Sequence, residues 1–320
     1  MKKLALSAAL AVFGLAGAAS AQTVKVTPLG SHDGEFCRFD RAIVFEDPDG
    51  TRLLYDAGRT VRGGDDPRLG KIDAVLLSHV HGDHLGDRHG TAQNAGECGK
   101  PDVSVVAAPS SVTEKIVVSQ KAKFLVGGEM NSWFNARIPA AGGDRSQVQL
   151  VRFGGMRTVG GVSVWSVPAV HSNGINPAFL KGEIAAQMKE NGLTAYVGPP
   201  GGYVVKFSNG LAVYLSGDTG VTAEQETVVR RQLGAKLAVM NIGGIFSTGP
   251  REAAYVINDL VKPNAVIISH ANEVGTVGGK IRPGSKTETF AKAVNVPAYP
   301  SRSGVTMEFD GNGKCVTGCG

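Results

Sequence analysis

A chain of 320 residues with 44 glycines, 6% aromatic residues and a formal charge of +5 has room for one large domain, and its glycine content favours tight turns between short strands over long helices. Basic residues are scattered rather than gathered into long runs, and losing Lys2 and Lys3 with a cleaved leader would lower the charge to +3, which argues against a nucleic-acid-binding surface. No stretch beyond the N-terminus is long and apolar enough to cross a bilayer, so stable membrane insertion is not expected.

The first predicted element is a leader. Lys2 and Lys3 precede an apolar run from Leu4 to Leu15 and the small-residue triplet Ala19-Ser20-Ala21, the pattern of a secretory signal peptide cleaved after Ala21. A membrane-spanning helix would need roughly 20 apolar residues, more than this run supplies. The expectation is a periplasmic or secreted domain over residues 22–320.

Short β-rich runs, each bounded by Gly, Asp, Asn or Pro, follow at Val24 to Pro28, Ala42 to Phe45, Leu53 to Asp56, Ala74 to Ser78, Val103 to Ala108, Val148 to Phe153 and Val162 to Val167. Further runs lie at Tyr203 to Phe207, Leu211 to Leu215, Leu237 to Asn241, Ala265 to Ser269 and Val305 to Phe309. Helical patterns separate them at Ser111 to Ser119, Ala223 to Leu233, Arg251 to Leu260 and Lys286 to Ala293. Strands that first meander and later alternate with helices predict two sheets with helices outside. The segment Asn173 to Pro200 contains a candidate helix at Lys181 to Glu190 between Gly and Pro, and reads either as a pocket wall or as a surface insertion.

Cys37, Cys98, Cys315 and Cys319 form an even set, which in an oxidising compartment reads as two disulfides with three connectivities open. The pairing expected is Cys315 with Cys319 and Cys37 with Cys98. No pair has the C-x-x-C spacing of a thiolate zinc site.

The strongest chemical signal is Ser78-His79-Val80-His81-Gly82-Asp83-His84-Leu85-Gly86-Asp87, at the end of an apolar strand. It packs four candidate metal ligands into six residues, and imidazole with carboxylate suits zinc and related divalent ions. This run resembles the H-x-H-x-D-H signature of the metallo-β-lactamase superfamily. Asp56, His171, Asp218 and His270 each end a predicted strand in the order that resemblance requires. It implies an αββα sandwich with metals in a cleft at one edge of two mixed sheets flanked by helices. Asn241-Ile242-Gly243-Gly244-Ile245-Phe246-Ser247-Thr248-Gly249-Pro250 and Gly217-Asp218-Thr219-Gly220 look like the ascorbate-6-phosphate lactonase-like hydrolases and their phospholipase D-type relatives.

Carried over by position, the resemblance implies His79, His81 and His171 around one divalent ion and Asp83, His84 and His270 around a second, with Asp218 bridging. Asp83, Asp218 and His270 are the residues expected to act directly in catalysis. Zinc is the default metal, with manganese or iron compatible with the same donors. The implied reaction is hydrolysis of an ester-like bond in a small-molecule substrate, a lactone or a phosphodiester, by a hydroxide shared between the metals. Asp56 is expected to orient a ligand histidine.

His89 is a candidate proton donor or an exposed loop histidine, and His32 has no assigned role. Asn173, Asn272 and Gly243 to Thr248 are candidate donors to a substrate oxygen. Arg62, Arg88 and Lys181 are candidate anion contacts or solvated charges. Competing readings are a non-haem iron persulfide dioxygenase and a non-catalytic metal-binding protein. A di-iron oxidase usually carries Glu where this chain has His81. Oligomeric state is not legible.

Overall fold

Alternation of side chains along the strands decides the layering. In Ile43-Val44-Phe45, Ile43 and Phe45 join one buried cluster and Val44 another, and Leu53-Leu54-Tyr55 splits the same way. Ala265 and Ile267 face the first of these clusters, whereas Val266 and Ile268 face a third. Strands buried on both faces need a layer on each side, and each wholly buried Ile or Leu contributes about 1.5–3 kcal/mol.

The computed structural model describes residues 22–320, so the predicted leader lies outside the described residues. In chain order the strands of the first half are β1 (Val24–Pro28), β2 (Ile43–Glu46), β3 (Arg52–Tyr55), β4 (Ala74–Leu76), β5 (Lys123–Val126), β6 (Val148–Leu150), β7 (Met156–Val159) and β8 (Val162–Pro168). The second half adds β9 (Gly201–Lys206), β10 (Ala212–Leu215), β11 (Leu237–Asn241), β12 (Ala265–Ser269), β13 (Ala298–Pro300), β14 (Met307–Phe309) and β15 (Cys315–Thr317). They build an eight-stranded sheet in the order β6-β5-β4-β3-β2-β1-β14-β15 and a seven-stranded sheet in the order β7-β8-β9-β10-β11-β12-β13.

Both sheets are mixed. β3, β4, β5 and β6 run parallel beside an antiparallel β3-β2-β1 meander, and β10 to β13 run parallel beside antiparallel β7 to β10. The expected αββα sandwich is therefore present. α1 (Gly82–Leu85) follows β4, while α2 (Val112–Gln120) and α3 (Met130–Ala140) cover the outer face of the first sheet through Ile116, Phe134 and Ile138. α4 (Gly182–Glu190) has no buried residue. The second sheet is covered by α5 (Gln225–Gln232, π-type), by α6 (Pro250–Tyr255, continued by a π-type turn at Val256–Val261) and by α7 (Lys286–Ala293). No helix among the described residues is long and apolar enough to cross a membrane.

Departures from the sequence reading have local causes. The run Val103 to Ala108 contributes only Val105–Val106 to a two-residue ribbon with Arg88–His89, and Val106 is 65% exposed, because neither large sheet takes it up. α3 went unread because its one buried stripe, Met130, Phe134 and Ile138, is interrupted by Asn, Ser and Arg and contains Pro139. Cys37 pairs with Cys98 and Cys315 with Cys319.

Candidate metal centre

The site grows from strand ends. β3 and β4 run parallel, so their C-termini emerge together, and the Asp56 N–H donates to the Leu76 carbonyl at 3.0 Å. Asp56 adopts a left-handed backbone (φ 43°), which turns its buried carboxylate onto the following strand end. One oxygen accepts the Ser78 N–H at 2.8 Å, and the other accepts the Ser78 hydroxyl at 2.7 Å and lies 2.8 Å from His84 Nδ1. Ser78 Oγ is in turn 2.9 Å from His79 Nδ1. In the tautomers that satisfy these contacts both histidines donate from Nδ1, leaving Nε2 for the cleft. Asp56 thus does what was expected of it; Ser78, which the sequence reading passed over, shares the task.

His79 Nε2 lies 3.0 Å from His81 Nδ1, and His171 Nε2 lies 3.1 Å from the same atom. Burial pushes His79 well below the usual imidazole range, pushes His81 down to about 4 with help from His171, and lowers His171. Three neutral rings aiming nitrogens at one point match the form in which histidine binds a divalent ion.

The second group is Asp83, His84 and His270. One turn of α1 carries Asp83 and His84, and His270 follows β12 with φ 50°. His270 Nε2 is 3.4 Å and His84 Nε2 3.8 Å from Asp83 Oδ2, and the two rings stack with centroids 5.1 Å apart. Asp218 reaches both groups: Oδ2 lies 3.1 Å from His270 Nε2 and 3.8 Å from His171 Nε2, while Oδ1 lies 3.5 Å from His84 Nε2. Burial opposes ionisation of Asp83 and Asp218, but the neighbouring histidines, with Arg41 beside Asp83, hold both carboxyls well below the usual range. For His84 burial opposes the charged ring, yet Asp218, Asp56 and Asp83 push it up to about 10. A cation at Nε2 would take the place of that proton.

A direct test of fit comes from unsatisfied atoms. His84 Nε2, Asp218 Oδ1 and both ring nitrogens of His270 are buried without a hydrogen bond of acceptable geometry. Each such orphan costs about 1–3 kcal/mol unless something fills it. The groups His79-His81-His171, His79-His84-Asp218 and Asp83-His84-His270 each bring their donor atoms within 4.8 Å of one another, so the residues present suit divalent metal ions.

Two glycines allow this approach. Gly217, at φ 60°, donates its N–H to the Tyr55 hydroxyl at 2.8 Å, and a Cβ there would sit 2.7 Å from the Gly201 carbonyl oxygen. Gly217→Ala is expected to destabilise the fold by at least about 1 kcal/mol and displace Asp218, read as a lower Tm together with reduced metal content. Gly243 passes under His270, where a Cβ would meet Nδ1 at 2.9 Å.

The sequence reading missed Arg41. Only 3% exposed, it places Nη2 3.2 Å from Asp83 Oδ2 and 2.5 Å from Asn272 Oδ1, and it also donates to the Asp40 carbonyl. Nothing in its local sequence separates it from the other basic residues. Its role comes from the loop before β2 folding across to α1.

The remaining candidates separate cleanly. Asn173 is spent on the scaffold, accepting the Val80 N–H and donating to the Gly198 carbonyl. Thr248 is likewise bound to Asn241, leaving Phe246 as the member of its loop that lines the cleft, beside Asn272. Arg62 and Arg88 face Asp66 and Asp87, Lys181 is exposed at the start of α4, and none of the three lines the cleft. His89 Nδ1 contacts the Gly90 carbonyl away from the cleft, and His32 lies between Ser31 and Gly96. Residues 173–200 fold as a surface insertion and contribute nothing to the cleft wall, because Ile175, Phe179 and Val197 tie them to the outer core of the first sheet.

Above the cluster opens a cleft of ≈ 450 Å³. The candidate donor groups sit at the edge of an αββα sandwich, the arrangement of metallo-β-lactamase folds. The family profile described as the beta-lactamase superfamily domain matches residues 51–271, and the chain belongs to that family. A UPF0173 metal-dependent hydrolase of Cupriavidus metallidurans is 30% identical over 63% of this chain; the chain spans 58% of that relative's length. Among solved structures, Igni18, a metallo hydrolase from Ignicoccus hospitalis, superposes with a TM-score of 0.57 at 20% identity over 90% of this chain and 99% of its own. CmlA, a diiron β-hydroxylase from Streptomyces venezuelae, reaches 0.54 at 12% identity over 91% of this chain and 54% of its own. The same fold thus carries different chemistries, and function has to be argued from the site.

Proposed function

We propose that this chain is an exported metal-dependent hydrolase that cleaves an ester-like bond, a lactone or a phosphodiester, at a centre holding two divalent ions. The observation that carries the reading is the placement of Asp218 between two complete donor groups, within 3.1 Å of His270 and 3.8 Å of His171. His79, His81 and His171 would hold one ion, Asp83, His84 and His270 the other, and Asp218 would be shared. Divalent ions held there would acidify water and polarise a substrate oxygen. Zinc suits these donors, as do manganese and iron.

The protein's own residues supply orientation and charge balance. The low pKa of Asp83 and Asp218 suits carboxylates that stay ionised to neutralise cations, rather than strong general bases. Ser78 and Asp56 fix two imidazoles, and Arg41 fixes Asp83. Arg41→Met, which keeps the length but removes the fork, is expected to lower metal affinity or kcat/KM by about 10–100-fold, as loss of a ligand's partner typically does. Metal titration of the variant beside the parent protein checks this, and an unchanged affinity and rate would remove Arg41 from the centre.

The function is tested by initial rates of the zinc- or manganese-loaded protein on a panel of lactones and chromogenic phosphodiesters, with metal content measured in parallel. Turnover is expected on one of the two ester classes. A protein that binds two equivalents of metal and hydrolyses neither would overturn the reading, and oxygen uptake with iron bound would replace it with a redox one.

A further inference from the structure

One short loop supplies three of the residues that line the cleft. Arg38, Phe39 and Arg41 all line the cleft, joined by Arg59 from the loop after β3. The loop backbone is held rigidly. Cys37 is bonded to Cys98, the Arg38 N–H donates to the Cys98 carbonyl at 3.2 Å, and buried Asp40 accepts the N–H groups of Ser31 and Cys37. Burial of Phe36, Cys37, Asp40 and Arg41 anchors the segment on both sides of Arg38, whose side chain is exposed.

The three guanidinium groups are in different situations. Arg41 is taken by Asp83 and Asn272, and Arg59 grips Asp87 through two bonds of 2.6 and 2.9 Å. Arg38 has no acidic partner among the described residues; its Cζ lies 5.4 Å from the centre of the Phe39 ring, which Arg59 also approaches at 5.7 Å. The carboxylates lining the cleft are Asp83 and Asp218, and both belong to the metal centre. With cations bound, those two charges are consumed and the wall keeps a net positive field.

We propose that Arg38, backed by Phe39, is the specificity-determining contact for an anionic oxyacid group on the substrate, a carboxylate or a phosphate lying beside the bond to be cleaved. A guanidinium fork carried on a loop whose backbone is held in this way matches either group through paired hydrogen bonds. The substrate class rests on the hydrolase reading above, but the anion site is tested without it.

The test is titration of the zinc-loaded protein with inorganic phosphate and, separately, with glutarate, followed by heteronuclear NMR, for the parent, Arg38→Gln and Arg157→Gln. Arg157 lies on the exposed edge strand β7 and carries the same charge change away from the cleft. The parent and Arg157→Gln are expected to bind at least one probe saturably, and Arg38→Gln to bind it about tenfold more weakly. A response to glutarate alone identifies a carboxylate site, and a response to phosphate alone a phosphate site. In the metal-loaded protein, Arg38→Gln should shift by about tenfold the ratio of KM values for a carboxylated or phosphorylated ester and its uncharged counterpart. Equal binding by Arg38→Gln and the parent, equal weakening by Arg157→Gln, or no saturable binding by the parent would each overturn the proposal. None of these binding outcomes depends on whether the protein hydrolyses anything.

Discussion

Asp218→Ala is expected to lower turnover by about 10²–10⁴-fold and to reduce bound metal. Asp218 is 4% exposed and is the carboxylate that reaches His84, His171 and His270 together. Removing one partner of a buried ionic cluster costs about 3–5 kcal/mol. Expressed wholly in the transition state, that is a loss of about 10²–10⁴-fold in kcat/KM. Without the shared carboxylate, two cations would repel each other, so occupancy should fall toward a single equivalent. Metal analysis after dialysis, with kinetics on the best panel substrate, decides the matter. Asp218→Asn, which keeps the shape and halves the acceptor capacity, separates lost function from lost folding. Full activity in both variants would remove Asp218 from the centre.

Asp56→Asn is expected to weaken metal binding or activity by about 10–100-fold although the side chain touches no metal. The carboxylate accepts on every side: from the Ser78 N–H, from the Ser78 hydroxyl and from His84 Nδ1. An amide has one acceptor end. If its oxygen faces the Ser78 N–H, its NH₂ opposes the His84 Nδ1–H and drives the ring to the other tautomer, which puts a proton on the nitrogen that should face the ion. If the amide flips, its NH₂ opposes the Ser78 N–H and the strand end must move. Isothermal titration of the apo-protein with zinc reads the first effect, and a shift in Tm reads the second. Unchanged affinity and Tm would reduce Asp56 to a turn residue.

Both predictions rest on features of unequal legibility. The histidines and Asp83 stood out because four ligand-type residues crowd into six positions after an apolar strand. His171, Asp218 and His270 were legible through their places at strand ends. Ser78 and Arg41 were not. A serine inside a motif has no periodicity, and the arginine lies 42 residues before the aspartate it holds. Asn173 and Thr248, equally readable in the sequence as substrate donors or as turn residues, were undecided for the complementary reason. A polar residue next to a ligand is equally useful for closing the scaffold, and both are consumed by backbone or side-chain partners.

Local chemistry in the chain by itself determined the layered fold class, the ligand types and the positions of the turns. Alternating apolar residues, glycine at forced backbone angles and imidazole spacing act over a few residues and can be read there. Tertiary structure alone decided which polar groups are already satisfied, where left-handed residues such as Asp56, His270 and Asn272 aim their side chains, and which arginine is left facing the cleft. Those outcomes depend on contacts between segments far apart in the chain, where burial and pairing rather than residue type set what each group can do.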